Sequence, residues 1–122
     1  SIMIVVATDA PLSDRNLERI ARRAIMGLSR TGSYASNGSG DYVIAFSTSE
    51  QVRRSTADGV QRYSDLSNNN VSALFEATLE ATEEAIYNSL FMAETVTSNG
   101  RTIQALPIAE TVDVLRRYGV VR

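Results

Sequence analysis

The feature that most constrains this chain is its opening run, Ser1-Ile2-Met3-Ile4-Val5-Val6-Ala7-Thr8, in which Ile2 to Ala7 are apolar without a break. A run of that length, rich in Ile and Val, reads as a strand covered on both faces. Domain termini are usually polar and frayed, so a chain that enters its core at the first residue carries the expectation that something once preceded it. A cut at that point leaves Ser1 with both a hydroxyl and a free α-amine, and a hydroxyl beside a base is the raw material of an N-terminal nucleophile. Ser1 also has plainer readings, as the residue left when an initiator Met is removed or as the remnant of a tag.

Composition narrows the chemistry. The 122 residues are 43% hydrophobic, enough for one core. A net charge of −2 offers phosphates no basic field, which argues against a nucleic-acid binder. No segment approaches the roughly 18 apolar residues of a membrane span, and the opening run lacks the length and basic lead of a targeting segment. A cytoplasmic location is the expectation, with the periplasm as the alternative. There is no Cys and no His, so disulfides are excluded and a transition-metal site would need carboxylates alone. The missing His also removes the usual general base. Hydrolytic chemistry here must find its base elsewhere, and an α-amine with a pKa of about 7.7–8.0 is one candidate.

Asp9-Ala10-Pro11-Leu12 breaks the first strand, and Ser13 or Asp14 can cap a helix that begins there. Leu17, Ile20, Ala21, Ala24, Ile25 and Leu28 then form one helical stripe. Arg15, Glu18, Arg19, Arg22 and Arg23 cover the other side, which reads as a solvated face with a Glu18–Arg22 pair. Residues 31–40 are a loop dense in Gly, Ser and Asn, held between that helix and an apolar strand at Tyr42 to Ser47. Function tends to sit on short loops positioned by rigid elements. The loop lacks the P-loop pattern and precedes a strand, which argues against phosphate binding.

Thr48 to Asp58 is polar, a further strand is expected near Val60 to Tyr63, and Asn68-Asn69-Asn70 marks a turn or helix entry. The longest helix is expected from Val71 to about Glu94, with a small-residue stripe of Leu74, Thr78, Ala81, Ala85 and Ser89 beside Phe75, Leu79, Ile86, Leu90 and Ala93. Its glutamates are mostly a wet face. Asn99-Gly100 is a turn, Thr102 to Leu106 a short strand, and Pro107 opens a last helix. Ile108, Val112 and Leu115 of that helix should point inward, and Gly119 ends it. No internal repeat or interdomain linker is visible, so residues 1–122 read as one unit. The element order is an α+β layer pattern, with so few strands that it looks like part of a larger stack.

Four stretches together carry a resemblance: Ser1 to Leu12, the loop Ser36-Asn37-Gly38-Ser39-Gly40-Asp41, the strand end Ile44-Ala45-Phe46-Ser47-Thr48, and Glu83-Glu84-Ala85-Ile86-Tyr87-Asn88-Ser89-Leu90. They resemble the β-chain of the DmpA-type aminopeptidases, that is, the L-aminopeptidase/D-Ala-esterase-amidases and related β-peptidyl aminopeptidases. The likeness covers essentially the whole chain. It implies a precursor that cuts itself at a Gly–Ser bond, freeing the serine as nucleophile. It implies a longer α-chain that stays bound, and a four-layer αββα sandwich like that of the N-terminal nucleophile (Ntn) hydrolases but with different strand connectivity. It also implies a tetramer of αβ heterodimers acting on small peptides, amides and esters, with no metal or organic cofactor.

By the same resemblance Ser1 matches the nucleophile, while Ser39 and Asp41 match its two partners on the Gly-rich loop. Some relatives carry Glu where this chain has Asp41, which keeps the charge but is one methylene shorter. Without the resemblance, Ser39 and Asp41 would read as ordinary turn chemistry. The implied reaction is acyl transfer through an acyl-enzyme on Ser1, with either the Ser1 amine or the Ser39/Asp41 pair as base. Two rivals stand beside it. Ornithine acetyltransferases and nylon-oligomer hydrolases also cleave themselves, but they carry a Thr nucleophile, which Ser1 argues against. A non-catalytic subunit with an accidental Ser1 is the other.

Overall fold

The computed structural model describes residues 1–122. The fold is α+β, and the chain divides into two compact units, Ser1–Glu84 and Ala85–Arg122. The division falls inside a long helix, which is why composition gives no linker there.

The first unit begins as a βαβ element. Strand β1 (Ile2–Thr8) and strand β2 (Asp41–Ser47) pair in parallel, from Ile2 opposite Asp41 to Thr8 opposite Ser47. Parallel neighbours need a crossover, and helix α1 (Asp14–Arg30) supplies it. Of the two capping candidates, Ser13 is the cap: its hydroxyl accepts from the Asn16 N–H at 3.4 Å. Asp14 in the first turn and Arg30 in the last complement the helix dipole.

Helix α1 covers one face of this strand pair. The other face is open: Met3, Val5, Tyr42, Ile44 and Phe46 are 62%, 62%, 64%, 55% and 44% exposed. The opening run is therefore not covered on both faces within this chain. One helical layer can shield only one side of a sheet, and alternation along each strand sends every second side chain to the bare side.

The stripe on α1 also differs in detail. Ile20, Ala24 and Leu28 are buried as expected, but Leu17, Ala21 and Ile25 are half-buried, and Asn16 and Gly27 join the buried line. The reason is helix α2 (Ser72–Phe91). A Cβ on Gly27 would lie 2.7 Å from the Leu79 carbonyl oxygen and 2.8 Å from Thr82 Cβ, so only a hydrogen fits where the helices cross. Gly in a helix interior costs about 1 kcal/mol against Ala, and the close approach it allows offsets that cost. Within this unit α2 buries Thr78 and Thr82, whose hydroxyls donate to the Leu74 and Thr78 carbonyls at 2.7 Å each. The expected small-residue stripe is displaced: Ala81 is exposed, as are Ala85 and Ser89 beyond the division.

Part of the basic face of α1 has a structural role. The Arg19 and Arg23 guanidinium groups lie 4.9 and 4.0 Å from the centre of the Phe75 ring. Glu18 and Arg22 pair across one turn as expected.

No strand forms at Val60 to Tyr63, where Val60 is 95% exposed. This stretch is held without a ladder: Gln61 Nε2 donates to the Ala57 carbonyl at 2.8 Å, and just beyond it the Leu66 N–H donates to the Pro11 carbonyl at 2.9 Å. Asp65 then clasps the start of α1. Its carboxylate accepts from the Ser13 N–H, the Ser13 hydroxyl and Asn16 Nδ2, each at 2.8 Å. Partial burial pulls the Asp65 pKa up, but these hydrogen bonds and the nearby Arg15 charge outweigh it and hold the carboxyl below its ordinary value of 3.8. A depressed carboxyl pKa stabilises the fold above the unfolded value, and the effect is lost as pH falls through the folded one. Asp65→Asn should thus lower the melting temperature of the assembled protein at neutral pH, and the gap to wild type should narrow below about pH 4. Thermal melts at pH 7 and pH 3 check this, and a gap of equal size at both would assign the effect to shape instead of charge.

The second unit holds a hairpin and a helix. Strands β3 (Val96–Ser98) and β4 (Arg101–Ile103) are antiparallel. Asn99 and Gly100 sit between them at φ 49° and 73°, as a type I′ turn requires. The strand expected at Thr102 to Leu106 is thus shorter and earlier, and its partner β3 was not expected. Pro107 precedes helix α3 (Ile108–Arg117), and Gly119, at φ 68°, lies beyond its end. Val112 and Leu115 are half-buried, but Ile108 is 44% exposed and does not point inward. No helix in the chain is long and apolar enough to cross a membrane.

Candidate active site

The parallel register builds the site. With Ile2 opposite Asp41, the residues just before the two strands, Ser1 and Gly40, must come side by side. The chain reaches Gly40 from the end of α1 through a loop that turns at Gly32 (φ 93°), Ala35 (φ 49°) and Gly38 (φ 98°). At Gly38 a Cβ would meet nothing within 4 Å, so it is backbone conformation that favours glycine there. The Ser39 N–H donates to the Ser36 carbonyl at 2.9 Å and closes the last turn.

Two polar pairs result. The Gly40 N–H donates to Ser1 Oγ at 3.0 Å. The Ser39 hydroxyl donates to the Asp41 carboxylate, 2.9 Å from Oδ1 and 3.0 Å from Oδ2. Ser1 is exposed, while Ser39 and Asp41 are half-buried. Ser1, Ser39 and Asp41 are therefore gathered at one end of the strand pair, but no hydrogen bond joins Ser39 or Asp41 to Ser1. The group that touches Ser1 Oγ is the Gly40 main chain, which the residue pattern did not single out. Its signal was available: a glycine immediately before an apolar strand places an unshielded N–H at the strand's mouth.

This arrangement has a definite chemical sense. The Gly40 N–H occupies an acceptor lone pair of Ser1 Oγ and leaves its proton free to be removed. The same N–H stabilises negative charge as it grows on that oxygen. The Ser39 proton is committed to Asp41, so Ser39 has only lone pairs to offer another donor. No three carboxylates converge anywhere in the chain, which leaves a metal no ready cradle. A concavity of about 370 Å³ is lined by residues that include Leu12, Asp14, Phe46 and Tyr63. It sits at the opposite end of β2 and includes none of the three expected site residues.

Comparison with known proteins points to one group. The profile of Peptidase family S58 matches residues 1–103. The β-peptidyl aminopeptidase BapA of Sphingosinicella microcystinivorans is 45% identical over 119 residues, 97% of this chain and 30% of that protein. This chain thus spans under a third of the length of its curated relatives. Among solved structures, the PH0078 protein from Pyrococcus horikoshii OT3 superposes with a TM-score of 0.86 at 47% identity, over 95% of this chain and 33% of that one. The L-aminopeptidase D-Ala-esterase/amidase from Ochrobactrum anthropi superposes at 0.80 with 33% identity, over 95% and 33% of the two chains. That structure is described as a prototype for the serine aminopeptidases and a new variant among the Ntn hydrolase fold.

Proposed function

The chain belongs to peptidase family S58, and from that premise we propose that it is the nucleophile-bearing β-chain of an aminopeptidase that also cleaves amides and esters. The observation that carries the reading is the 3.0 Å hydrogen bond from the Gly40 N–H to Ser1 Oγ, beside the Ser39–Asp41 pair. Ser1 Oγ attacks the scissile carbonyl and loses its proton to a base. The amine or alcohol leaves with that proton, and water then attacks the acyl-enzyme and restores Ser1. Asp41 does not touch Ser1, and the Ser39 proton already belongs to Asp41. The geometry therefore favours the Ser1 α-amine as the base, with Asp41 the carboxylate that the strand register brings to the same end of the strand pair.

The rest of the precursor acts as the α-chain. It covers the open face of β1 and β2, completes the four-layer αββα sandwich, and supplies donors for the oxyanion, worth about 3 kcal/mol each. Four αβ pairs assemble further, and no metal or cofactor takes part. The test uses the complete protein with alanine p-nitroanilide and a serine-directed covalent reagent. We expect hydrolysis, and by mass spectrometry a single adduct on Ser1 of a short chain accompanied by a longer one. Hydrolysis that survives without modification of Ser1 would overturn the assignment.

A further inference from the structure

Gly40 raises a question that its hydrogen bond does not answer. Its backbone is not in the left-handed region, so another residue could adopt its conformation and still donate its N–H. What it uniquely supplies is space. A Cβ built there would lie 3.3 Å from Tyr42 Cε2, 3.9 Å from the Tyr42 hydroxyl and 3.8 Å from Ser1 Oγ. Residues 40 and 42 share one face of the strand, the open face that also carries Met3 opposite Tyr42. A narrow gap, slightly too tight for a methyl on Gly40 unless the ring yields, is thus bounded by the nucleophilic oxygen on one side and the edge of an aromatic ring on the other.

We propose that Tyr42 is a specificity-determining residue: its ring, with the bare hydrogen of Gly40, forms the wall against which the acyl side chain of the substrate rests, admitting small side chains and rejecting large ones. This rests on Ser1 being the nucleophile. Once Oγ bonds to the carbonyl carbon, the acyl group stays tethered within a few ångströms of the gap through both attack and release. The leaving group is gone after the first step. The acyl side chain is thus the part of the substrate that must fit this wall in both steps.

Wild-type and variant complexes, checked for maturation by mass spectrometry, would be compared on glycyl, alanyl and leucyl p-nitroanilides. A misfit of one or two carbons in a pocket is worth about 10-fold or more in kcat/KM. Tyr42→Ala should raise the leucyl-to-alanyl ratio of kcat/KM by about 10-fold, while Tyr42→Phe, which keeps the ring, should leave it as in wild type. Gly40→Ala fills the gap and should lower the alanyl-to-glycyl ratio by a similar factor. Loss of general stability would scale all substrates together and move neither ratio. Should Tyr42→Ala fail to assemble, Tyr42→Val, which suits a strand, gives the same comparison. Unchanged ratios in a variant whose Ser1 still takes the covalent reagent at the wild-type rate would overturn the proposal alone. A wild type that is not labelled on Ser1 would overturn the nucleophile reading and this one with it.

Discussion

A chain carrying one extra Gly ahead of Ser1, co-expressed with the proposed α-chain as a separate polypeptide, is expected to assemble and to hydrolyse nothing while the extension remains. The change keeps the Ser1 hydroxyl, the β1 strand and the Gly40 contact. It converts the Ser1 amine to an amide, whose nitrogen is not basic. With no His in the chain and with Ser39 committed to Asp41, no other base in this chain touches Ser1 Oγ. The added residue also projects where a substrate must approach. An acyl group on Oγ and a free amine on the same residue can close a five-membered ring and pass the acyl group to nitrogen, which would inactivate the enzyme. A working site must therefore keep the amine protonated or turned away at that stage, and the Asp41 carboxylate is the anion nearest in register to do so. Turnover is measured beside mass spectrometry of the intact complex. Full activity with the extension present would show that the α-amine is dispensable.

Asp41→Asn is expected to lower kcat by about 10²–10⁴-fold, the scale of acid–base catalysis, by weakening the network that supports the Ser1 base, with little effect on folding. Asn retains an acceptor oxygen for the Ser39 hydroxyl, so the turn at the mouth of β2 survives. What is lost is the negative charge that would balance an ammonium on Ser1. Circular dichroism and chain mass confirm folding and maturation, and steady-state kinetics report the chemistry. A matured Asp41→Asn protein with near-wild-type turnover would return Asp41 to the role of a turn residue.

Much of the fold was legible where one physical signal dominates. The apolar run of β1, the Ser13 cap, the Glu18–Arg22 pair, the Asn99-Gly100 turn and the Pro107 start of the last helix each depend on residues a few positions apart. The readings that failed depend on what lies across space. Val60 to Tyr63 has the composition of a strand, but the residues just after it, Ser64 and Leu66, bond to the carbonyls of Gln51, in a short 3₁₀ turn, and of Pro11. The stripe on α2 was misplaced because the crossing at Gly27 decides which face is buried.

The same division runs through the site. By itself the sequence determined that Ser1, Ser39 and Asp41 are the candidate residues, because residue types, a glycine-rich loop and a resemblance are all properties of the string. It also determined that no His or Cys of this chain could take part. Only the tertiary structure decided what touches what. The parallel register of β1 and β2 sets Ser1 against Gly40 instead of Ser39, since pairing is fixed by the crossover and the packing of α1, which no local pattern encodes. Alternation along β2 then sends Asp41 and Tyr42 to opposite faces, leaving the carboxylate to Ser39 and the aromatic ring to the open side beside the nucleophile.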